Sequence, residues 1–123
     1  MTVTDLELKR LSFQEQLDLK KDRCFRNKMG QFATPADLAI EILKYAKDIF
    51  PRGKKVKFLD PAIGTGAFYS ALLNNFPQDM IESSKGYEID DDFAEVCNDL
   101  WSKTSLIVIK NDFTRSTGNP ECK

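Results

Sequence analysis

Apolar residues recur at helical spacing over the first 50 residues. Residues 5–25 carry leucines and a phenylalanine that fall roughly on one helix face, which predicts an N-terminal helix. A second helix follows with a more regular apolar face. This predicted face comprises Leu38, Ile42, Tyr45, Ala46 and Ile49, with Ala39, Leu43 and Phe50 beside it.

The start of the second helix is predicted from its first residues. Thr34 is of the type that caps helix N-termini, and Pro35 suits the first helical position. Asp37 places a negative charge in the first turn, where the helix dipole favours it. Pro51 ends the pattern.

After residue 54, short apolar runs alternate with helical segments. Strands are predicted over residues 55–60, 84–89 and 106–109, and the last, a continuous apolar run, is expected to be buried on both faces. Helices are predicted from Gly66 to about Asn75 and from Asp90 to Trp101. The order β-α-β-α-β predicts an α/β fold with a parallel sheet and right-handed crossovers.

Length and composition restrict the class of protein. The 123 residues suffice for one domain, and 41% hydrophobic with 30% charged residues indicates a chain that folds. No apolar run approaches the roughly 20 residues that span a membrane, and the first residues show no signal-peptide core. We therefore expect a cytoplasmic location and no membrane partner.

The residue types exclude several chemistries. Histidine is absent, which excludes Ser-His-Asp and Cys-His catalysis and any histidine-ligated metal. The cysteines Cys24, Cys97 and Cys122 form no CxxC pair, so neither a zinc site nor a disulfide framework is predicted. We expect buried or idle thiols in a reducing cytosol, and no metal.

The net charge of −1 is unevenly distributed. Residues 1–57 carry 13 Lys/Arg and 8 Asp/Glu, a net +5, whereas residues 58–123 carry 5 and 11, a net −6. Such a split indicates either that different faces meet different partners or ordinary surface solvation.

The main candidate site is a glycine-rich turn after the first predicted strand, Asp60-Pro-Ala-Ile-Gly64-Thr-Gly66. Ligands of open α/β sheets bind at the carboxyl ends of the strands, although the pattern is also typical of a tight turn without a ligand. A dinucleotide fingerprint would need a third glycine where Tyr69 stands. A carboxylate at Asp60 suits the amino group of a methionine moiety better than a pyrophosphate. This favours S-adenosylmethionine over NAD.

Two further carboxylates follow the next predicted strands. Glu88 can accept both hydroxyls of a ribose, which NAD and S-adenosylmethionine share. Asp112 can accept from an adenine amino group, and Phe113 can stack beside the ring. Each alone is also typical of a solvent-facing turn. Together with Asp60 they end successive parallel strands and are expected to point into one cleft.

Four segments resemble the motifs of amino-type DNA methyltransferases of restriction-modification systems, in the N6-adenine class whose cofactor motifs come first. They are Gly30-Gln-Phe-Ala-Thr-Pro35, Asp60-Pro-Ala-Ile-Gly-Thr-Gly-Ala-Phe68, Gly86-Tyr-Glu-Ile-Asp90 and Asn111-Asp-Phe-Thr114. The resemblance covers about residues 20–114. It implies the N-terminal half of a Rossmann-like S-adenosylmethionine-dependent methyltransferase fold with preceding helices. Residues 1–30 would form an N-terminal helical segment and residues 31–123 a partial methyltransferase domain.

The resemblance also implies a role for each matching residue. The methionine end of S-adenosylmethionine would contact Thr34 and Pro35 and would be lined by Asp60, Ala62, Gly64 and Gly66. The nucleoside would be held by Glu88 at the ribose, with Ile89 against the adenine, Asp112 at its amino group and Phe113 flanking the ring. Thr34 and Pro35 would begin a helix in either case.

The chain departs from the family at the catalytic motif. That motif, (Asp/Asn/Ser)-Pro-Pro-(Tyr/Phe), follows the fourth strand and holds the flipped target base. Here Gly118-Asn-Pro-Glu121 lacks the second proline and the aromatic residue, and no apolar strand precedes it. We therefore assign no catalytic residue, and we expect a chain that is truncated before the fourth strand and inactive alone.

The resemblance implies that the parent enzyme methylates adenine N6 in double-stranded DNA. The alternatives are a methyltransferase that acts on RNA, a protein amide or a small molecule, and a non-enzymatic split subunit or interaction fragment. The basic stretch Lys20–Lys28 either faces DNA phosphates in the parent protein or is a solvated helix end.

In the methyltransferase fold that the chain resembles, the first strand is central. Without a neighbour on its other side, Val56, Phe58 and Leu59 would form an unpaired apolar edge. Such an edge is predicted to pair with a second copy, forming a homodimer, or with the remaining polypeptide.

Overall fold

A computed structural model describes residues 2–20 and 34–111. Within these ranges the elements are α1 (Val3–Lys20), α2 (Ala36–Ile49), β1 (Val56–Asp60), α3 (Ala67–Asn75), β2 (Ile81–Tyr87), α4 (Asp91–Leu100) and β3 (Leu106–Ile109). The three strands form a parallel sheet in the order β1-β2-β3, which confirms the predicted α/β fold. None of the helices in these ranges is long and apolar enough to cross a membrane.

The helices cover one face of the sheet. One row of register partners, Phe58, Ser84 and Leu106, faces the helices, and its last two members are buried. The next row, Leu59, Lys85 and Ile107, lies on the opposite face, with Leu59 50% and Ile107 55% exposed. The prediction that residues 106–109 are buried on both faces is therefore wrong for the described part of the chain.

The structure agrees in part with the expected apolar edge at β1. In the described sheet β1 does lie at one edge. Val56 is buried, Phe58 packs against the core, and only Leu59 presents much apolar surface. Pairing of this edge with another strand stays a prediction.

Helix α2 begins one residue later than predicted. Pro35 has φ −55° and ψ 136°, an extended conformation, and is itself the N-cap. Its carbonyl oxygen accepts the first helical hydrogen bond from the Ala39 N–H at 3.1 Å. Thr34 therefore stands outside the helix and is not the cap, whereas Asp37 lies in the first turn as predicted.

The buried face of α2 is also different from the predicted one. Ala39 and Leu43 are its buried residues, because α2 packs against α3 along this narrow stripe. Most of the predicted face, namely Leu38, Ile42, Tyr45 and Ile49, is exposed. Both stripes are apolar, and their periodicity does not distinguish which one meets α3.

Helix α1 packs against α3 and α4. It ends at Lys20, and the rest of its predicted span, residues 21–25, lies outside the described residues. Its buried residues are Arg10, Gln14 and Leu17, whereas Leu8, Leu11 and Leu19 are exposed. The contact stripe of α1 thus contains two polar residues that hydrophobic periodicity does not select.

Strand β2 begins and ends earlier than the predicted span of 84–89. Ile81 pairs with Val56, and Ser83 pairs with the next residue, Lys57, so Glu82 is an extra residue in β2. The strand ends at Tyr87, and Glu88 consequently follows the strand rather than ending it.

The predicted starts of α3 and α4 are confirmed to within one residue. Gly66 precedes α3 in the left-handed conformation, at φ 98°. The Asp90 carboxylate caps α4 by accepting hydrogen bonds from the N–H groups of Asp92 and Phe93, at 2.9 and 3.1 Å. Both helices therefore start at the carboxyl edge of the sheet.

The centre of the core is aromatic. The rings of Tyr69 and Trp101 meet edge to face at 5.2 Å between centroids, and both residues are 1% exposed. A Cβ atom at Gly66 would lie 2.5 Å from the indole Nε1 of Trp101. The turn before α3 therefore requires glycine both for its positive φ and for this contact.

We predict that Gly66→Ala destabilises the fold more than Gly53→Ala. Both glycines have positive φ, but a Cβ at Gly53 would meet nothing within 4 Å. Gly53→Ala should cost about 1 kcal/mol of left-handed strain, and Gly66→Ala roughly 2–4 kcal/mol because a clash is added. Urea unfolding of both variants measures the difference, and equal losses would contradict the role of Trp101.

Candidate ligand-binding site

The turn between β1 and α3, residues 60–66, lies at the carboxyl edge of the sheet. Asp60, the last residue of β1, is the register partner of Gly86, near the end of β2. Glu88 follows β2 directly, so the two carboxylates reach the same edge, as predicted. Asp112 and Phe113 lie outside the described residues, and their predicted roles stay predictions.

The two carboxylate oxygens of Asp60 differ in their hydrogen bonds. Its Oδ1 accepts a hydrogen bond from the Ala62 N–H at 3.0 Å, which shapes the first part of the turn. Its Oδ2 is buried and accepts no hydrogen bond within the described part of the chain. Burial raises the pKa of the Asp60 carboxyl above its usual range, against the lowering effect of the Ala62 bond. This oxygen is available to a cation or hydrogen-bond donor from a ligand.

Glu88 holds the turn from the side of β2. Its Oε1 accepts from the Gly64 N–H at 2.9 Å, and its Oε2 accepts from the Asp90 N–H at 3.0 Å. The residue is 7% exposed, and burial raises its pKa although these backbone bonds oppose the rise. A carboxylate has about four acceptor positions, so Glu88 could bind a ligand hydroxyl in addition to its backbone hydrogen bonds.

The turn has free space next to Gly64. Its φ is +58°, and a Cβ built on it would meet nothing within 4 Å. The glycine thus combines a left-handed backbone with free space at the carboxyl edge of the sheet, where ligands of such folds bind.

Gly86 lets the turn approach β2 closely. A Cβ at this position would overlap the side chain of Ile63, which is 4% exposed. The Ile63 N–H donates to the Tyr87 carbonyl oxygen at 2.9 Å, so the turn is also tied to the strand through its backbone.

A small cavity of about 50 Å³ opens beside the turn. Of the predicted contact residues, Thr34, Ala62 and Gly64 line it, together with Phe68 at the start of α3. Pro35 is exposed next to Thr34, and Ile89 is 49% exposed next to Glu88. The structure thus brings together most of the predicted site residues that it describes. Gly66 is different, because its Cα faces the Trp101 indole in the core.

Cys97 lies below the site and is fully buried. Burial raises the pKa of its thiol to about 12, and the nearby charges of Glu88 and Asp60 add to the rise. This confirms that Cys97 is a buried thiol, whereas Cys24 and Cys122 lie outside the described residues. Among the described side chains, no cluster of three or more metal-ligand residues is present.

Sequence reasoning missed three side chains that hold the turn, namely those of Trp101, Arg10 and Gln14. Trp101 donates from its indole Nε1 to the Thr65 carbonyl oxygen at 2.9 Å. The Thr65 hydroxyl contacts Arg10 and Gln14 of α1. No pattern in the sequence singles out Arg10 and Gln14, because their partner lies more than 50 residues away along the chain.

Comparison with known proteins identifies the fold. No family model matches the chain. The structure is similar to a Pyrococcus horikoshii protein proposed to be an RNA methyltransferase, with a TM-score of 0.55 and 23% identity. It is also similar to a Listeria monocytogenes protein proposed to be a class I S-adenosylmethionine-dependent methyltransferase, with a TM-score of 0.55 and 16% identity.

These likenesses concern part of each larger protein. The first covers 68% of this chain and 41% of the Pyrococcus protein, and the second covers 85% of this chain and 34% of the Listeria protein. The chain therefore has the α/β fold of class I methyltransferases and spans less than half the length of either structure.

We predict that Asp60→Asn stabilises the fold at neutral pH. A raised carboxyl pKa means that the folded state binds the proton more tightly than the unfolded state, so stability is lost as pH rises through the folded pKa. The uncharged amide avoids this loss. Urea unfolding between about pH 4.5 and pH 8 should show an advantage of Asp60→Asn that is largest at neutral pH and shrinks toward acid.

The matched control is Asp48→Asn, the same change at an exposed aspartate. A stability difference for Asp60→Asn that does not vary with pH would contradict the desolvation of Asp60.

Proposed function

We propose that this chain is the cofactor-binding part of an S-adenosylmethionine-dependent methyltransferase. The observation that carries the proposal is the Oδ2 of Asp60, which is buried and has no hydrogen-bond partner among the described residues, beside the open Gly64 turn. The class I methyltransferase fold of the chain supports it. When bound, S-adenosylmethionine supplies an electrophilic methyl group on a positively charged sulfur.

The residues at the site fit the parts of this cofactor. The methionine ammonium would satisfy the Asp60 Oδ2 and compensate a carboxylate that burial otherwise disfavours. Glu88 would accept the ribose hydroxyls with its remaining lone pairs, and the exposed Ile89 would lie against the adenine. Thr34 and Ala62 would line the methionine end. The work of this chain is to bind and orient the cofactor.

For the substrate we propose adenine N6 in double-stranded DNA. The support is the order and spacing of the four motif-like segments at residues 30–35, 60–68, 86–90 and 111–114. No Pro-Pro pair occurs in the sequence, so the group that would hold a flipped base is absent, and we propose that the chain alone transfers no methyl group.

RNA is the second candidate substrate. The specific observation in its favour is the fold shared with the Pyrococcus protein proposed to be an RNA methyltransferase. The turn at residues 60–66 serves the cofactor in either case and does not separate the two nucleic acids.

We predict that S-adenosylhomocysteine, which keeps the methionine amino group, binds the chain with one site in calorimetry. Asp60→Asn should weaken binding at least tenfold, about 1.4 kcal/mol, because a charged hydrogen bond to the ammonium is lost. Asp48→Asn should bind like the native chain. No heat at millimolar ligand would contradict cofactor binding, and equal affinity of Asp60→Asn would contradict the role of Asp60.

We predict that the chain binds duplex DNA through its basic stretch, which lies largely outside the described residues. The triple charge reversal of Arg23, Arg26 and Lys28 to Glu should lower duplex affinity by about tenfold or more and reduce its dependence on salt by roughly 2–3 counterions. Electrophoretic mobility shifts at several salt concentrations provide the measurement.

The same reversal at the exposed Lys44, Lys47 and Arg52 controls for net charge and should have a smaller effect. Tighter binding of RNA than of duplex DNA of equal length would favour the RNA substrate instead.

A further inference from the structure

We propose that helix α1 is part of the ligand site, where Arg10 and Gln14 act as positioning residues that hold Thr65 and so set the turn at residues 60–66. The identity of the ligand rests on the proposed function. The positioning itself rests on contacts between α1 and the turn, and it can be tested without a ligand.

The Thr65 hydroxyl is the point of contact. It accepts a hydrogen bond from Arg10 Nη1 at 3.1 Å and donates one to Gln14 Oε1 at 2.8 Å. Thr65 is 2% exposed, so water does not replace these partners in the folded state. Because Arg10 and Gln14 are four residues apart, they project from successive turns of α1 and hold the hydroxyl from two sides.

The Arg10 guanidinium is itself held in place. Its Nε and Nη2 donate to the two carboxylate oxygens of Glu7 at 2.6 and 2.8 Å, and the residue is 1% exposed. Partial burial of Glu7 acts to raise the pKa of its carboxyl. The hydrogen bonds from Arg10 act in the opposite direction, and the resulting pKa lies below its usual range. The Glu7 carboxylate therefore stays charged at neutral pH, and its two bonds to Arg10 leave one guanidinium nitrogen for Thr65.

A buried arginine is a poor choice for stability alone. Apolar residues of similar volume would cover the same surface of α3 and α4 without the cost of desolvating a charge. The polar stripe on α1 instead gives a directional contact with one hydroxyl. Direction matters at a turn whose neighbouring glycines, Gly64 and Gly66, leave its backbone unusually free.

Further hydrogen bonds tie the turn to the end of α4 and to the end of β2. Trp101 holds the Thr65 carbonyl oxygen, and Glu88 holds the Gly64 N–H. Loss of the α1 contacts should therefore loosen the turn without releasing it from the core.

Gln14 also reaches the ligand side. It lines the same small cavity as Thr34, Ala62 and Gly64, so α1 forms one wall of the space beside the turn. Its amide nitrogen donates to Asp18 at 3.0 Å, which fixes the amide orientation with the oxygen toward Thr65. The helix thus contributes both a support and a surface to the site.

The test uses isosteric and conservative variants of the whole chain. Thr65→Val removes both hydroxyl bonds and keeps the shape, whereas Thr65→Ser keeps the hydroxyl. Gln14→Leu removes the acceptor, and Gln16→Leu is the same change at an exposed position of α1. Amide hydrogen exchange across residues 62–67 and the affinity for S-adenosylhomocysteine are measured for each.

We expect Thr65→Val and Gln14→Leu to speed exchange across residues 62–67 at least fivefold and to weaken ligand affinity at least fivefold. Exchange in β2 and α4 should change little, and Thr65→Ser and Gln16→Leu should behave like the native chain.

Native exchange and affinity in Thr65→Val would overturn the proposal, and so would an equal acceleration of exchange in every element, which indicates a merely structural role. If the native chain binds no S-adenosylhomocysteine but the turn still responds to Thr65→Val, the proposed function fails and the positioning role stands.

Discussion

The path of the backbone between β1 and α3 is the constraint on which the candidate site depends. Two glycines with positive φ make this turn adaptable, and it holds one shape because neighbouring elements fix it by hydrogen bonds. Glu88 fixes Gly64 from the end of β2, and Trp101 fixes the Thr65 carbonyl from the end of α4. The aromatic contact of Trp101 with Tyr69 anchors that indole in the core. The geometry of the turn therefore depends on how the core packs.

This arrangement places two carboxylates where the protein partly or largely shields them from water. Asp60 is partly buried and Glu88 is buried, and burial raises the pKa of each carboxyl. Their charges also help to raise the pKa of the Cys97 thiol. A site of this kind costs stability in the empty protein and favours a ligand that carries positive charge or hydroxyl donors. The electrostatic character of the turn is therefore consistent with a cationic, hydroxyl-bearing cofactor.

Much of the fold follows from the sequence because its patterns are local. The helix start at Asp90, the glycine turn and the apolar run of β3 each identify an element, and alternation of strands and helices then implies a parallel sheet. The choice between two apolar stripes on α2 depends on where α3 lies, and the burial of Arg10 and Gln14 depends on a hydroxyl more than 50 residues away in the chain. Contacts between distant segments of this kind are not encoded in periodicity. Of the site, the carboxylates and glycines were predictable, whereas their supports were not.

The contact between Ile63 and Gly86 bears on how this site can vary among related sequences. Because the isoleucine occupies the space where a side chain at position 86 would stand, the two positions share a single volume. A larger residue at position 86 is compatible with the turn only when a smaller residue replaces Ile63 in the same sequence. Ile63 and Gly86 should therefore covary, even though only one of them belongs to the glycine-rich turn.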